Sequence, residues 1–326
     1  MSVIKTILMF SGQGSQYFHM GRELFDTNNT FRQWMLRLDG LVRDLSGESV
    51  IEAVYAERRS RSDTFDRTLL THPAIFMVEY SLAQSLIEAN IVPDVVLGAS
   101  LGSFTAATLA GCIDVEAAMT AVVKQATALE ACCEPGGMLA VLSDPALFAE
   151  DFLCSRSELA GINFASHFVI SARQSQLAVM EAELQRRNVI HQRLPVSFAF
   201  HSQWIDDAQA PFRSFMRSLR PRRAALPLAC CDRANVIPDL SDDYFWSVAR
   251  QPIRFKETLA LLEQSSASSG VTHRYIDAGP AGTLATFVKY GLPATSRSTV
   301  HSVLTPFGQD QRNLSNLLAL YRPPAG

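Results

Sequence analysis

The chain has 326 residues, a formal net charge of −3, and 48% hydrophobic and 19% charged residues. This length and composition are typical of a globular protein with a large core and more than one structural unit, and the scattered charges of both signs argue against binding to nucleic acid. The six cysteines form neither a CxxC pair nor a metal-finger spacing, so we expect a reduced, cytoplasmic protein without a metal site or organic cofactor.

The first predicted element is a buried strand over residues 4–10, which leads into a glycine-rich loop over residues 11–16. A short apolar run that ends at Gly12 is typical of a core strand and not of a signal peptide. Helical patterns follow at 31–36 and 73–82. No uncharged apolar stretch reaches the length needed to span a bilayer, so no membrane association is expected.

The most informative motif is Gly98-Ala99-Ser100-Leu101-Gly102, which lies between an apolar run and a helical pattern. In the order strand, GxSxG, helix, the serine occupies a sharp turn and its hydroxyl projects above the edge of the sheet. The start of the following helix favours negative charge beside that hydroxyl. The motif therefore predicts that Ser100 is a nucleophile; the alternative is an ordinary turn built from small residues.

The pattern changes after the next helix, predicted at 115–131. Between residues 138 and 196 the order is strand, helix, strand, strand, helix, strand, which is the arrangement of a small ferredoxin-like unit. Longer α/β alternation then returns, with a helix predicted at 244–262 and a strand at 275–278. The small unit is therefore predicted to be an insertion in a larger α/β unit.

A serine hydroxyl is a poor nucleophile at neutral pH and needs a neighbouring base. The histidines available for this role are His19, His72, His167, His191, His201, His273 and His301. Taken singly, each is more often a surface or capping residue. His201 stands out because it follows an apolar run where the small unit returns to the large one, and ligands bind in such crevices.

Five blocks in order resemble the malonyl-CoA:acyl-carrier-protein transacylase (acyltransferase) family. They are Phe10–Gln16, Gly98–Gly102, Phe198–Ser202, Pro252–Phe255 and Asp277–Pro280, and they span nearly the whole chain. The resemblance implies an α/β-hydrolase-like large subdomain over residues 1–133 and 199–326. It also implies a ferredoxin-like subdomain over residues 134–198, with the active site in the cleft between the two.

The resemblance also implies roles for individual residues. Ser100 would be the nucleophile and His201 its base, oriented by a main-chain carbonyl that we place at Val248. The backbone N–H groups of Gln13 and Leu101 would form the oxyanion hole. Asn163 would help to position the site, although a turn residue is an equally good interpretation of that asparagine.

Two substitutions depart from the family pattern. Malonyl transferases of the family carry an arginine twenty-five residues after the nucleophile, where it pairs with the malonyl carboxylate, and here that position is Gln125. Lys124 is adjacent but points about 100° away on a helix. Ala99 stands where most members have histidine, which would widen the mouth of the site.

The segment before the histidine keeps the family's malonyl-type form. Phe198 and Phe200 are its aromatic residues, and Phe200 would narrow the space for a branch on the acyl α-carbon. We therefore assign both phenylalanines to the substrate-binding region, together with Gln125 and Ala99.

These departures favour neutral acyl groups. Our first hypothesis is an acyl-carrier-protein hydrolase that removes stalled acyl chains during polyketide synthesis through an acyl-serine intermediate. One alternative is a transferase that moves neutral acyl groups or, less favoured, malonyl between coenzyme A and carrier proteins. The other is a non-catalytic subunit that docks carrier protein. Arg220, Arg222 and Arg223 could meet an acidic carrier-protein helix, but a solvated basic turn is the favoured explanation.

Overall fold

The structure, a computed structural model, describes residues 3–321; the side chains of residues 266–269 are not described. The strands are β1 Val3–Phe10, β2 Val95–Gly98, β3 Gly136–Leu142, β4 Glu158–Phe164, β5 His167–Arg173, β6 Ile190–Arg193, β7 Leu228–Cys230, β8 Asn235–Ile237, β9 Val271–Asp277 and β10 Thr299–Ser302. The helices are α1 Arg22–Thr27, α2 Asn29–Ser46, α3 Val50–Val54, α4 Thr68–Glu88, α5 Gly102–Leu109, α6 Val115–Cys132, α7 Asp151–Cys154, α8 Gln174–Arg186, α9 Gln209–Met216, α10 Tyr244–Arg250, α11 Phe255–Ser269, α12 Thr283–Gly291 and α13 Asp310–Ala319.

The large unit is built on a six-stranded sheet in the order β10-β9-β1-β2-β7-β8. The pairings from β10 to β7 are parallel, and β8 joins the edge antiparallel to β7. The C-terminal half of β1 and the whole of β2 are buried, as expected for central strands covered by helices on both faces. Helices α2, α4 and α6 pack together on one side of this sheet, and α4 is buried along most of its length.

The small unit is a four-stranded antiparallel sheet in the order β4-β5-β3-β6. Its chain order is β3, a short helical segment, β4, β5, α8 and β6, which is the predicted ferredoxin-like arrangement. A separate apolar core with Leu139, Phe168 and Met180 lies within it. The fold class predicted from the sequence is therefore confirmed.

Two predicted helices are wrong in detail. The first helix predicted in the small unit is a 3-10 helix at residues 145–149, followed by the single turn α7. The helix predicted over 244–262 is two helices, α10 and α11, with a break at Gln251-Pro252. Proline lacks an N–H and restricts the residue before it to extended conformations, so α10 ends there.

The carboxyl ends of β1, β2 and β9 lie side by side because these strands are parallel neighbours. The chain leaves β1 into the Gly12 loop, β2 into the turn at Ser100, and β9 into the turn at Gly279. The strand order also reverses here, since β2 and β9 flank β1 on opposite sides. Ligands of open α/β sheets bind at such a reversal.

Candidate active site

Ser100 occupies a tight turn between β2 and α5. Its φ angle is 54°, a left-handed conformation that is uncommon for residues other than glycine and is strained by about 1–3 kcal/mol. The turn needs glycine on both sides, because a Cβ on Gly98 would lie 2.4 Å from the Cα of Ser103 and one on Gly102 would lie 2.1 Å from the carbonyl oxygen of Phe10. The GxSxG pattern is thus a packing requirement of this turn.

His201 lies directly beside this serine. Its Nε2 is 2.9 Å from Ser100 Oγ, and its backbone N–H donates to the carbonyl of Ala249 at 2.9 Å. Like Ser100, His201 has a positive φ angle, here 60°. The structure therefore brings together the two residues that the sequence paired across 101 positions.

The carbonyl that orients this histidine belongs to Gln251 and not to Val248. Nδ1 of His201 donates to the Gln251 carbonyl at 2.7 Å. The expectation of Val248 was wrong because that residue lies within α10, whereas Gln251 follows the helix with extended backbone and turns its carbonyl toward the ring. The bond places the ring proton on Nδ1 and leaves Nε2 to accept from the Ser100 hydroxyl.

Burial governs the protonation of His201. Desolvation lowers the pKa of His201 to about 4, against a smaller upward effect of the Gln251 carbonyl. Asp232 also raises this pKa by its charge, but the carbonyl and not that carboxylate holds Nδ1. The imidazole is therefore neutral near pH 7 and able to accept a proton.

The loop after β1 packs directly on this pair. A Cβ on Gly12 would lie 2.8 Å from the Cβ of Ser100. Within residues 3–321, no hydrogen bond uses the backbone N–H of Gln13 or that of Leu101. Leu101 follows Ser100 directly and Gln13 follows Gly12, which packs on Ser100, so both N–H groups suit the binding of developing negative charge.

The loop after β1 is hydrogen-bonded by a buried carboxyl group on α4. Glu79 of α4 accepts from Ser11 Oγ at 3.3 Å and from Thr105 Oγ1 of α5 at 2.9 Å. Desolvation by burial raises the pKa of Glu79 well above its usual range. Glu79 thus links the loop after β1 to the helix that follows Ser100, a connection that the sequence did not indicate.

A cavity of about 280 Å³ opens beside Ser100 and His201, between the two units. Aspartate, glutamate, lysine and arginine are all absent from the described residues that line it. Its polar side chains, apart from the Ser100–His201 pair, are those of Ser11, Gln13, Ser15, Asn163, His167, Gln192 and Thr283. The cavity therefore offers hydrogen bonds but no fixed charge to a bound group.

Gln125 lies beneath this cavity and does not line it. It is 2% exposed, and its Nε2 donates to the carbonyl of Phe245 at 3.3 Å. Its side chain also bonds the ring of His72, whose Nδ1 accepts from Gln13 Nε2. Because burial lowers the pKa of His72 to about 3, this whole chain of contacts is neutral at pH 7.

The remaining sequence-assigned residues divide between the cavity and its surroundings. Ala99, Phe200 and Asn163 line the cavity. Phe198 lies behind it, with its ring edge-on to Phe200 at 6.3 Å. The sequence did not indicate the roles of His72, His167 and Gln251 in the site. Each is a single residue outside any recognisable motif.

Arg220 and Arg222, on either side of Pro221, bond to the protein's own surface. Arg222 donates to Asp114 at 2.6 Å and to the Gly111 carbonyl, and Arg220 donates to carbonyls of its own segment. These contacts fit the simpler interpretation of a basic turn, and a carrier-protein contact there stays a prediction.

The described part of the chain has neither a membrane-spanning helix nor a cluster of metal-binding side chains. None of its helices combines the length and apolar character needed to cross a membrane. No group of three or more histidine, cysteine, aspartate or glutamate side chains within residues 3–321 is arranged to hold a metal ion.

The six-stranded, mostly parallel sheet with a separate antiparallel unit is the fold of solved acyltransferases. The chain belongs to that family: the acyl transferase domain matches residues 7–321.

Two relatives align with this chain over almost the whole length of both proteins. It is 42% identical to the polyketide biosynthesis acyltransferase homolog BaeD of Bacillus velezensis, with 98% of each chain covered. It is 40% identical to the homolog PksD of Bacillus subtilis, with 98% of this chain and 97% of the relative covered.

Solved structures agree on the fold. A loading acyltransferase from the avermectin modular polyketide synthase matches with a TM-score of 0.87 and 22% identity, covering 98% of this chain and all of the other. The malonyl CoA-acyl carrier protein transacylase of Burkholderia pseudomallei matches with a TM-score of 0.77 and 27% identity, covering 90% of this chain and all of the other.

Proposed function

We propose that the protein is a serine acyl-thioester enzyme of polyketide biosynthesis that removes neutral acyl groups from acyl carrier protein by hydrolysis. The observation that carries the proposal is a Ser100–His201 pair, 2.9 Å apart, that opens into a cavity lined without charged side chains. The relatives' names support a role in polyketide biosynthesis, and the acyltransferase family supports carrier protein as the partner.

In the first half-reaction Ser100 Oγ attacks the thioester carbonyl while His201 Nε2 takes the hydroxyl proton. The carbonyl oxygen becomes an oxyanion, which the N–H groups of Gln13 and Leu101 stabilise; donors of this kind are worth about 3 kcal/mol each. The C–S bond then breaks, and the pantetheine thiolate takes the proton from His201. The acyl group is left as an ester of Ser100.

In the second half-reaction water attacks this ester and gives its proton to His201. The C–O bond to Ser100 breaks, the serine oxygen recovers the proton, and the free acid leaves. No change of oxidation state occurs and no cofactor is required. The lowered pKa of His201 keeps it unprotonated at the start of each half-reaction, when it must accept a proton.

The selectivity for neutral groups follows from the cavity. A carboxylate that loses its water in an enclosed site needs a partner charge, and without one the penalty is several kcal/mol. Gln125, where the family's malonyl transferases have arginine, is bound to the neutral His72 and to a carbonyl. Ala99 leaves the mouth of the cavity wider than a histidine would.

A transferase of neutral acyl groups is the second candidate, favoured by membership of the acyltransferase family. It differs only in that a second carrier-protein thiol, and not water, attacks the acyl-enzyme. A non-catalytic docking subunit is disfavoured, because such a module has no use for a strained serine held against a neutral histidine.

Carrier protein loaded with butyrate separates these candidates. Incubation with catalytic amounts of the protein is expected to release free butyrate, with a transient butyryl adduct on Ser100 detected by intact-mass spectrometry. Movement of butyrate to an added second carrier would favour the transferase. A Ser100→Ala variant is the matched control; if it turned over like the wild type, the nucleophile would be misassigned.

A further inference from the structure

His167 is a polar ring in an otherwise aromatic part of the cavity. It begins β5 and is only 8% exposed. The ring of Phe164 stacks on it with centroids 5.1 Å apart, and the ring of Phe287 lies 5.3 Å away. Phe255 packs against Phe287 in turn, so aromatic rings from both units surround the imidazole.

The position of the ring proton follows from Asn163. The amide nitrogen of Asn163 lies 3.0 Å from His167 Nδ1. An amide nitrogen only donates, so Nδ1 accepts and the proton of the neutral ring is on Nε2. Burial lowers the pKa of His167, which keeps the ring neutral near pH 7.

His167 lines the cavity, so its Nε2–H group is the donor that it offers to a bound group there. No other residue within 3–321 bonds this group, and the ring's remaining contact is with the backbone of His167 itself. Because this nitrogen is open to the cavity and not sealed within the protein, a bound acceptor would replace water there. A neutral ring gives no ion pair, so the acceptor it suits best is an uncharged oxygen.

The reaction does not use His167 for proton transfer, since His201 holds Ser100 directly. The aromatic faces around His167 suit an apolar chain, and its N–H suits one oxygen on that chain. We propose that His167 is a specificity-determining residue that selects acyl chains carrying a hydroxyl or keto oxygen beyond the thioester carbonyl. This inference rests on the proposed function, because it assumes that neutral acyl groups reach Ser100.

The test compares two loaded carrier proteins, butyryl and 3-hydroxybutyryl, which differ by one oxygen. We measure kcat/KM for Ser100 acylation with each in the wild type, His167→Phe and His167→Gln. The wild type is expected to prefer the hydroxylated chain by about fivefold or more. His167→Phe keeps an aromatic ring but has no donor and should lose this preference, whereas His167→Gln keeps an N–H group and should retain a preference.

His191→Gln is the matched control, because this histidine of β6 lies in the same unit, bonds the Val189 carbonyl and does not line the cavity. It should keep the wild-type ratio. A wild type without preference, or a ratio unchanged in His167→Phe, would overturn the inference. An equal fall in kcat/KM for both substrates in His167→Phe would also overturn it, because it would mean that the N–H binds the carrier's own pantetheine arm.

The outcomes also separate this inference from the proposed function. If neither chain acylated wild-type Ser100, the proposed function itself would fail. If both chains acylated it equally well, only the role of His167 would fail. Circular dichroism of each variant shows whether a lost preference accompanies an intact fold.

Discussion

Replacing Gln125 with arginine tests the origin of the selectivity for neutral acyl groups. Gln125 is 2% exposed, and the contacts of its side chain are with the neutral His72 ring and the Phe245 carbonyl. An arginine here places a positive charge among neutral groups, and an uncompensated buried charge destabilises a protein by about 3–5 kcal/mol. For a protein of 326 residues that lowers Tm by about 4–7 °C.

A malonyl group on Ser100 would supply the missing negative charge. The arginine side chain is two heavy atoms longer than glutamine, so it can extend from beneath the cavity toward the acyl group. Hydrogen bonds to charged groups contribute about 1.5–3 kcal/mol, so the malonyl-to-butyryl ratio of acylation rates should rise at least about tenfold. Malonylation should also recover part of the lost Tm.

The assay is intact-mass spectrometry of Ser100 acylation from malonyl- and butyryl-loaded carrier protein, with thermal unfolding measured on the same samples. Two controls isolate the charge at this position. Gln125→Met removes the hydrogen bonds without adding charge, and Lys124→Arg adds an arginine head group at the exposed neighbouring position. A folded Gln125→Arg protein whose malonylation stayed at the wild-type level would refute the reasoning.

Three further predictions concern the catalytic pair and the loop against it. His201→Ala should slow Ser100 acylation by roughly 10³-fold, measured by single-turnover kinetics, and a variant that kept wild-type rates would exclude His201 as the base. As the pH is lowered, kcat/KM for butyryl-loaded carrier protein should fall with an apparent pKa near 4, because His201 must be neutral to accept a proton. A fall with an apparent pKa near 6.5, while circular dichroism shows an intact fold, would contradict this. Gly12→Ala should lower kcat/KM by about 100-fold, because the new Cβ would lie 2.8 Å from the Cβ of Ser100. Gly40→Ala is the control and should keep the wild-type value, because a Cβ there meets open space. Equal activities of the two variants would contradict the packing argument.

The parts of the site that the sequence predicted are those set by local chemistry. The turn at Ser100 needs two glycines and a serine within five residues, so this short motif is enough to predict the turn. The strand–helix order of the small unit was equally visible, because each of its elements alternates with clear turn signals.

The parts that were missed depend on contacts between distant segments. The carbonyl that orients His201 comes from a residue 50 positions away, and its direction depends on where α10 ends before Pro252. The depth of Gln125 could not be predicted either. Its position on a helix is visible in the sequence, but the His72 ring that separates it from Gln13 is not.

The most direct test of the central claim uses two carrier proteins, one loaded with acetyl and one with malonyl, mixed with the protein and followed by intact-mass spectrometry. We predict an acetyl adduct on Ser100, no malonyl adduct, and free acetate as the product. A malonyl adduct that passed to an unloaded carrier protein would contradict the account, and would identify a loader of charged building blocks that needs no arginine in place of Gln125.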